Sequence, residues 1–102
     1  MKKVVINKVV INICYGGFDL SDLALTALAT RKGVNMDDID PFSIPRHDAD
    51  LVAVVEEMGR ASWGPSARLS VASVAGNRYR IKEYDGLESI ETPKTIEWTK
   101  IG

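Results

Sequence analysis

The triplet Arg46-His47-Asp48 sets the only histidine of the chain between a cation and a carboxylate, and the only cysteine, Cys14, stands at the end of a β-branched run. Nucleophilic catalysis needs an imidazole to deprotonate the thiol and a carboxylate to orient the imidazole. Cys14, His47 and Asp48 supply those types, but adjacent His and Asp side chains are badly placed for such a relay. Asp48 is also explained as a helix cap, and a lone Cys at the end of a core strand is more often a small buried hydrophobe. A second acid–base candidate is the pair Glu83 and Glu88. A two-residue loop at Asp85-Gly86 sets them opposite each other, where carboxylates can share a proton, hold a metal or act as acid and base. No further His or carboxylate joins them in the pattern, so no metal is assigned, and a longer loop or simple solvent exposure separates them more economically.

The anion-binding reading uses the same region. Arg46 and His47 offer donors, the N-terminus of the first helix offers N–H groups, and Gly16-Gly17 lets a ligand approach the backbone, with Tyr15 or Phe18 able to stack on a planar group. The competing reading is that Gly16-Gly17 is only a tight turn and Arg46 an exposed charge near Asp48 and Asp50. Capping accounts for Asp48 and turn geometry for Asp85-Gly86; neither accounts for Arg46, His47, Tyr15 or Glu88. The expected ligand site is therefore Tyr15, Gly16, Gly17, Arg46, His47, Tyr84 and Glu88, three element ends meeting in one place. No catalytic residue, metal or cofactor is assigned. The glycines match neither the GxGxxG nor the GxxxxGKS fingerprint, and no basic cluster flanks Trp63 or Trp98 as a base-stacking platform would require.

The elements that must position these groups start with Lys8–Cys14, whose Val9, Ile11 and Ile13 alternate with Lys8, Asn12 and Cys14 as in a strand with one face in the core. Lys3-Val4-Val5-Ile6-Asn7 is repeated as Lys8-Val9-Val10-Ile11-Asn12. Five is an odd shift against a period of two, so only the second copy matches the core and the first is an extension or edge. Ser21 caps a first helix over Asp22–Lys32, with a Leu20/Leu25 staple, Arg31 and Lys32 in the last turn and Gly33 as the stop. Leu25, Leu28 and Ala29 form its packing face, widened by Leu23 and Ala27. The stretch from Val34 to Pro45 is an acidic loop with at most one helical turn, lacking the glycine and terminal Glu of a calcium loop. Asp48 caps a second helix over Ala49–Met58, ended by Gly59, with Leu51, Val54, Val55 and Met58 inward.

After the Trp63-Gly64-Pro65 connection, Leu69–Val74 is a strand turned by Gly76-Asn77 into Tyr79–Tyr84. Asp85-Gly86 then makes a hairpin that pairs Tyr84 with Leu87, Glu83 with Glu88, Lys82 with Ser89, Ile81 with Ile90 and Arg80 with Glu91. The alternation of Ile96, Trp98 and Lys100 with Thr95, Glu97 and Ile101 predicts a last short strand after Pro93. The fold expected is α+β: a four- or five-stranded mixed, partly antiparallel sheet with two packed helices, in one domain spanning residues 1–102.

The chain has 102 residues, 45% of them apolar and 26% charged, with 13 basic against 14 acidic side chains. That balance gives no strong nucleic-acid signal and no attraction to an anionic membrane. The start lacks a secretory pattern and no apolar run approaches the roughly 20 residues of a membrane span, so a cytoplasmic setting is expected. Whether the chain forms a homo-oligomer stays open.

The strings Ile11-Asn12-Ile13-Cys14-Tyr15-Gly16-Gly17-Phe18, Ile44-Pro45-Arg46-His47-Asp48, Val54-Val55-Glu56-Glu57 with Gly59, and Tyr79-Arg80-Ile81 with Glu83-Tyr84-Asp85-Gly86 resemble a family of small uncharacterised proteins encoded by tailed bacteriophages and prophages. The resemblance covers most of the chain. It implies a phage origin and the cytoplasm of a host cell, and brings no agreed activity. Family members often carry Pro where this chain has Ala49, an N1 position that leaves the Asp48 cap intact. They also often have a longer insertion before Ile44, and the extra Lys-Val-Val-Ile-Asn copy is peculiar to this chain. The function expected is a non-catalytic accessory protein that binds a host protein or a small anionic, nucleotide-like ligand; the alternative is a small enzyme using Cys14 or the Glu83/Glu88 pair.

Overall fold

The computed structural model describes residues 6–92. Within them the order is β1 (Ile6–Asn12), α1 (Asp22–Lys32), α2 (Ala49–Met58), β2 (Leu69–Ala75), β3 (Arg80–Tyr84) and β4 (Leu87–Glu91), with short 3-10 turns at Met36–Asp38 and Gly59–Ser62. The class is α+β. The described strands form two separate two-stranded antiparallel sheets, β1–β2 and β3–β4, in place of the single mixed sheet expected from the sequence. The strand expected after Pro93 lies outside the described residues.

The reason for two sheets is visible in how β1 is buried. Val9, Val10 and Asn12 are fully buried, with Ile11 close behind, so both faces of the strand are covered and not one. Strands covered on both faces read as continuous apolar runs, and Val9-Val10-Ile11 is such a run. Val10, with Leu69 and Val71 of β2, joins the core beneath the helices: Leu20, Ala24, Leu28, Leu51, Val54 and Val55. Val9 and Ile11, with Ala72 and Val74, face Tyr79, Ile81 and Ile90 of the hairpin segment. The molecule thus has three layers, helices on one side of β1–β2 and the β3–β4 hairpin on the other. A hairpin stacked face-on cannot also extend the ladder edge-on, which is why the Gly76-Asn77 turn leads to a second sheet.

The helices match their sequence signals. Ser21 accepts from the Ala24 N–H, Asp48 accepts from the Leu51 N–H, and both helices end at the glycines that follow them. Leu23 departs from expectation: it is 66% exposed, and Ala24 takes its place on the buried face. Val52 is likewise buried on α2 beyond the inward set expected. The second repeat copy forms the core part of β1, while Ile6 at the end of the first copy is exposed; residues 3–5 lie outside the described range. Ile13, expected on the core face, lies just past the end of β1 and is exposed.

The hairpin register is the one read from the sequence, all five pairs included. Asp85 has φ 54° and Gly86 φ 90°, the two positive values a type I′ turn requires.

Candidate functional site

The element ends expected to converge do meet, the hairpin tip reaching the Tyr15–Gly17 turn at Gly86 and Arg46 at Glu88, and beside them lies Asn12. This side chain is fully buried. Its Nδ2 donates to the Cys14 carbonyl at 2.7 Å and to the Gly86 carbonyl at 2.8 Å, and its Oδ1 accepts from the Arg68 N–H at 2.8 Å. The Asn12 backbone N–H donates to Glu88 Oε1 at 2.8 Å. One residue therefore joins the end of β1, the segment entering β2 and the hairpin tip.

Arg46 closes the same junction from the other side. Its Nη1 and Nη2 grip Glu88 in a two-pronged pair at 2.6 and 2.9 Å. The guanidinium carbon stands 3.6 Å from the centre of the Phe18 ring, which packs edge-on against Phe42. The Arg46 carbonyl accepts from the Val10 N–H at 2.8 Å, and Nη1 returns a bond to the Val10 carbonyl at 3.3 Å. On the side of β1 away from β2, Val10 and Asn12 thus receive from Arg46 and Glu88 the partners that another strand would have supplied.

That geometry answers the question of the paired glutamates. The two-residue loop does set Glu83 opposite Glu88, and Glu88 is only 7% exposed. The expected escape, a longer loop or exposure of both, is not taken. Glu88 lies on the same hairpin face as Ile90 and turns inward to Arg46, while Glu83 remains exposed. The like-charge opposition is offset by an arginine from a remote part of the chain. Glu88 is committed to Arg46, while Glu83 stands in solvent.

The glycines are accounted for by packing. A Cβ at Gly16 would overlap the Ser66 carbonyl, and Gly17 holds φ 97°. At Gly86 a Cβ would stand 2.5 Å from the Tyr15 carbonyl oxygen and 2.8 Å from the Gly17 nitrogen, so the hairpin tip and the glycine turn touch backbone to backbone. Tyr15 and Tyr84 project outward from this contact, 66% and 73% exposed.

His47 is carried away from the junction. Its Nδ1 lies 2.7 Å from the Tyr79 hydroxyl, and the rings meet edge to face. Burial pushes the Tyr79 phenol up from its ordinary value, against the His47 contact and the Arg46 charge. Tyr79 therefore keeps its O–H, which stands at hydrogen-bond distance from His47 Nδ1. Asn7, Gly76 and Asn77 complete a shallow cleft of about 180 Å³ around the pair. A second cleft of about 390 Å³ lies between Asp19, Ser21 and Asp22 at the start of α1 and Trp63 and Pro65.

Cys14 is partly buried, its Sγ 3.1 Å from the Ser66 carbonyl and 3.4 Å from Asn12 Oδ1. Both neighbours are acceptors, and neither is a base of the kind a nucleophile requires. Among the described residues no group of three or more His, Cys, Asp or Glu side chains is placed to hold a metal ion, and no helix is long and apolar enough to cross a membrane.

Asn12 is not among the site residues expected from the sequence, and Phe18, expected there only as a stacking group, lies under the Arg46 guanidinium instead. The available signal was a polar residue at the end of an otherwise apolar run. Its twin Asn7, in the other repeat copy, binds the Gly76 carbonyl at 2.6 Å, so each copy ends in an asparagine that holds a glycine turn. Comparison with known proteins adds no assignment: no family model, curated protein or solved structure matches the chain.

Proposed function

We propose that the protein is a non-catalytic accessory protein of phage or prophage origin, acting in the host cytoplasm by binding a host protein through the end of the molecule where the Tyr15 turn and the Tyr84 hairpin meet. The observation that carries this reading is the pair of exposed aromatic side chains on two turns fixed against each other at Gly86. Tyrosines on rigid turns give large contact area with little ordering cost, the property that makes them common at the centres of interfaces. The cation best placed to hold a small anion is already committed. Arg46 faces Glu88 in a two-pronged pair, and an anion would have to displace that carboxylate. The enzyme alternative lacks a base beside Cys14, since His47 is bonded to Tyr79.

Photo-crosslinking tests the proposal. A benzoyl-phenylalanine at position 15 or 84 should capture the same host protein, and one at the solvent-facing Glu57 should not. Unlabelled wild-type protein should compete the capture, and the Tyr15→Ser/Tyr84→Ser double variant should not. A thermal-shift screen of nucleotides and phosphorylated metabolites runs beside it, since a ligand at 100 times its Kd stabilises by about 2.7 kcal/mol. A shift abolished by Arg46→Gln, or capture equal at positions 15, 84 and 57, overturns the reading.

A further inference from the structure

We infer that the β3–β4 hairpin is a hinged flap, latched over the outer face of the β1–β2 sheet by Glu88, and that it opens as a unit while the helical layer stays folded. This goes beyond the proposed function and does not depend on it.

The attachment of the hairpin differs in kind from that of the other elements. β1 and β2 share a seven-pair ladder, whereas β3–β4 is a separate sheet. At its tip the polar ties gather on Glu88 and Gly86, where Arg46 and the Asn12 N–H hold the first and Asn12 Nδ2 holds the second, and at its entry the Tyr79 hydroxyl meets His47 Nδ1. The apolar contact is thin on the hairpin side. Every residue of β3 except Ile81 is exposed, and Ile81, Ile90 and Tyr79 are only half-buried. The surface beneath is well covered, with Val9 fully buried and Val74 at 2% exposure.

The asymmetry matters because of where the charge sits. Glu88 is almost wholly buried and faces a largely covered guanidinium, and loss of one member of such a pair leaves the other desolvated without a partner. The entry to the hairpin is the Gly76-Asn77-Arg78 turn, exposed throughout, with Gly76 at φ 90° and no atom near its missing Cβ. A segment with few buried apolar contacts, pinned mainly by one buried ion pair at its tip, opens at lower free energy than the global transition. Opening bares Val9, Ile11 and Val74 and frees the Asn12 N–H, while Ile13 keeps its bond to the Arg68 carbonyl at 2.7 Å.

Residue-resolved hydrogen exchange under low denaturant reads this directly. In the wild-type protein the amides of residues 80–91 and that of Asn12 should exchange together, with a weaker denaturant dependence than those of α1. The Ile13 amide should remain with the slower set. Glu88→Gln should accelerate the hairpin and Asn12 amides at least about tenfold relative to α1, a modest part of what loss of a buried partner commonly costs. The wild-type measurement stands alone if the variant fails to fold. Exchange of the hairpin and α1 amides through one common opening, an Asn12 amide that follows Ile13 rather than the hairpin, or acceleration spread evenly over the chain in Glu88→Gln would each overturn the inference.

Discussion

Asn12→Ala and Asn7→Ala remove the same side chain from two copies of the same five-residue sequence, and the fold makes the losses unequal. Asn7 contributes one exposed hydrogen bond, to the Gly76 carbonyl. Asn12 is fully buried and contributes two donated bonds and one accepted from a backbone N–H. At about 1 kcal/mol per bond, Asn12→Ala should cost about 3 kcal/mol and Asn7→Ala about 1 kcal/mol or less. With a urea dependence of about 1.5 kcal/mol/M, the unfolding midpoint should fall by about 2 M in the first variant and by about 0.7 M or less in the second. Asn12→Asp sharpens the test, because the carboxylate still accepts from Arg68 but turns its other oxygen toward two carbonyls. At neutral pH it should be less stable than Asn12→Ala and should recover as the pH falls, when protonation restores one donor. Equal midpoint shifts for Asn7→Ala and Asn12→Ala would refute the role assigned to the Asn12 junction.

Gly86→Ala and Gly76→Ala share φ 90°, but only at Gly86 does the new Cβ meet backbone, so thermal unfolding should show a clearly larger loss there than the roughly 1–3 kcal/mol of φ strain common to both. The Asp48 carboxyl resists its own burial, which raises it, because Lys32 and the Leu51 N–H together hold it below its usual value. Its contribution is therefore full above about pH 4 and lost as the pH falls through the lowered value, whereas that of Lys32, raised chiefly by the Asp48 bond, is full below about pH 10.4 and lost as the pH rises further. Asp48→Asn keeps the cap and should flatten the acid limb of a stability–pH curve. Arg80→Ala breaks a pair whose arginine is 72% exposed and should cost no more than about 0.5 kcal/mol by urea titration.

Local signals carried the elements. Ser21, Asp48, Gly33 and Gly59 act on backbone groups within a few residues, so the bounds of α1 and α2 could be read without knowing what packs on them. Asp85-Gly86 fixed the hairpin register in the same way, because a two-residue loop leaves no freedom in the pairing. The arrangement of the strands was not legible. Alternation along Lys8–Cys14 suggests one buried face, and only the hairpin, brought back from some 70 residues downstream, makes the other face interior. Leu23 was misjudged for a related reason: its position on the helix allowed packing, but the neighbours that meet α1 cover Ala24 and Leu28 instead.

The residues left unexplained by local structure were singled out as a ligand site, and their fates divide on a physical line. Arg46 and Glu88 are each unaccounted for within their own segment because each has its partner in the other, and together they serve the open side of β1 at Val10 and Asn12. A two-stranded sheet has no interior strand, so its edge groups must be met by water, by another strand or by side chains. Here a long, forked donor and a carboxylate do it, and the cation–ring contact with Phe18 helps hold the donor in place. Among the described residues Tyr15 and Tyr84 have no such partner, and they stand exposed on either side of the Gly86 contact. A polar residue that its own element does not need is thus ambiguous in sequence between tertiary closure and binding. Burial separates the two: Glu88 belongs to the frame, and the exposed tyrosines that the frame holds in place are the groups through which we propose that the protein meets a partner.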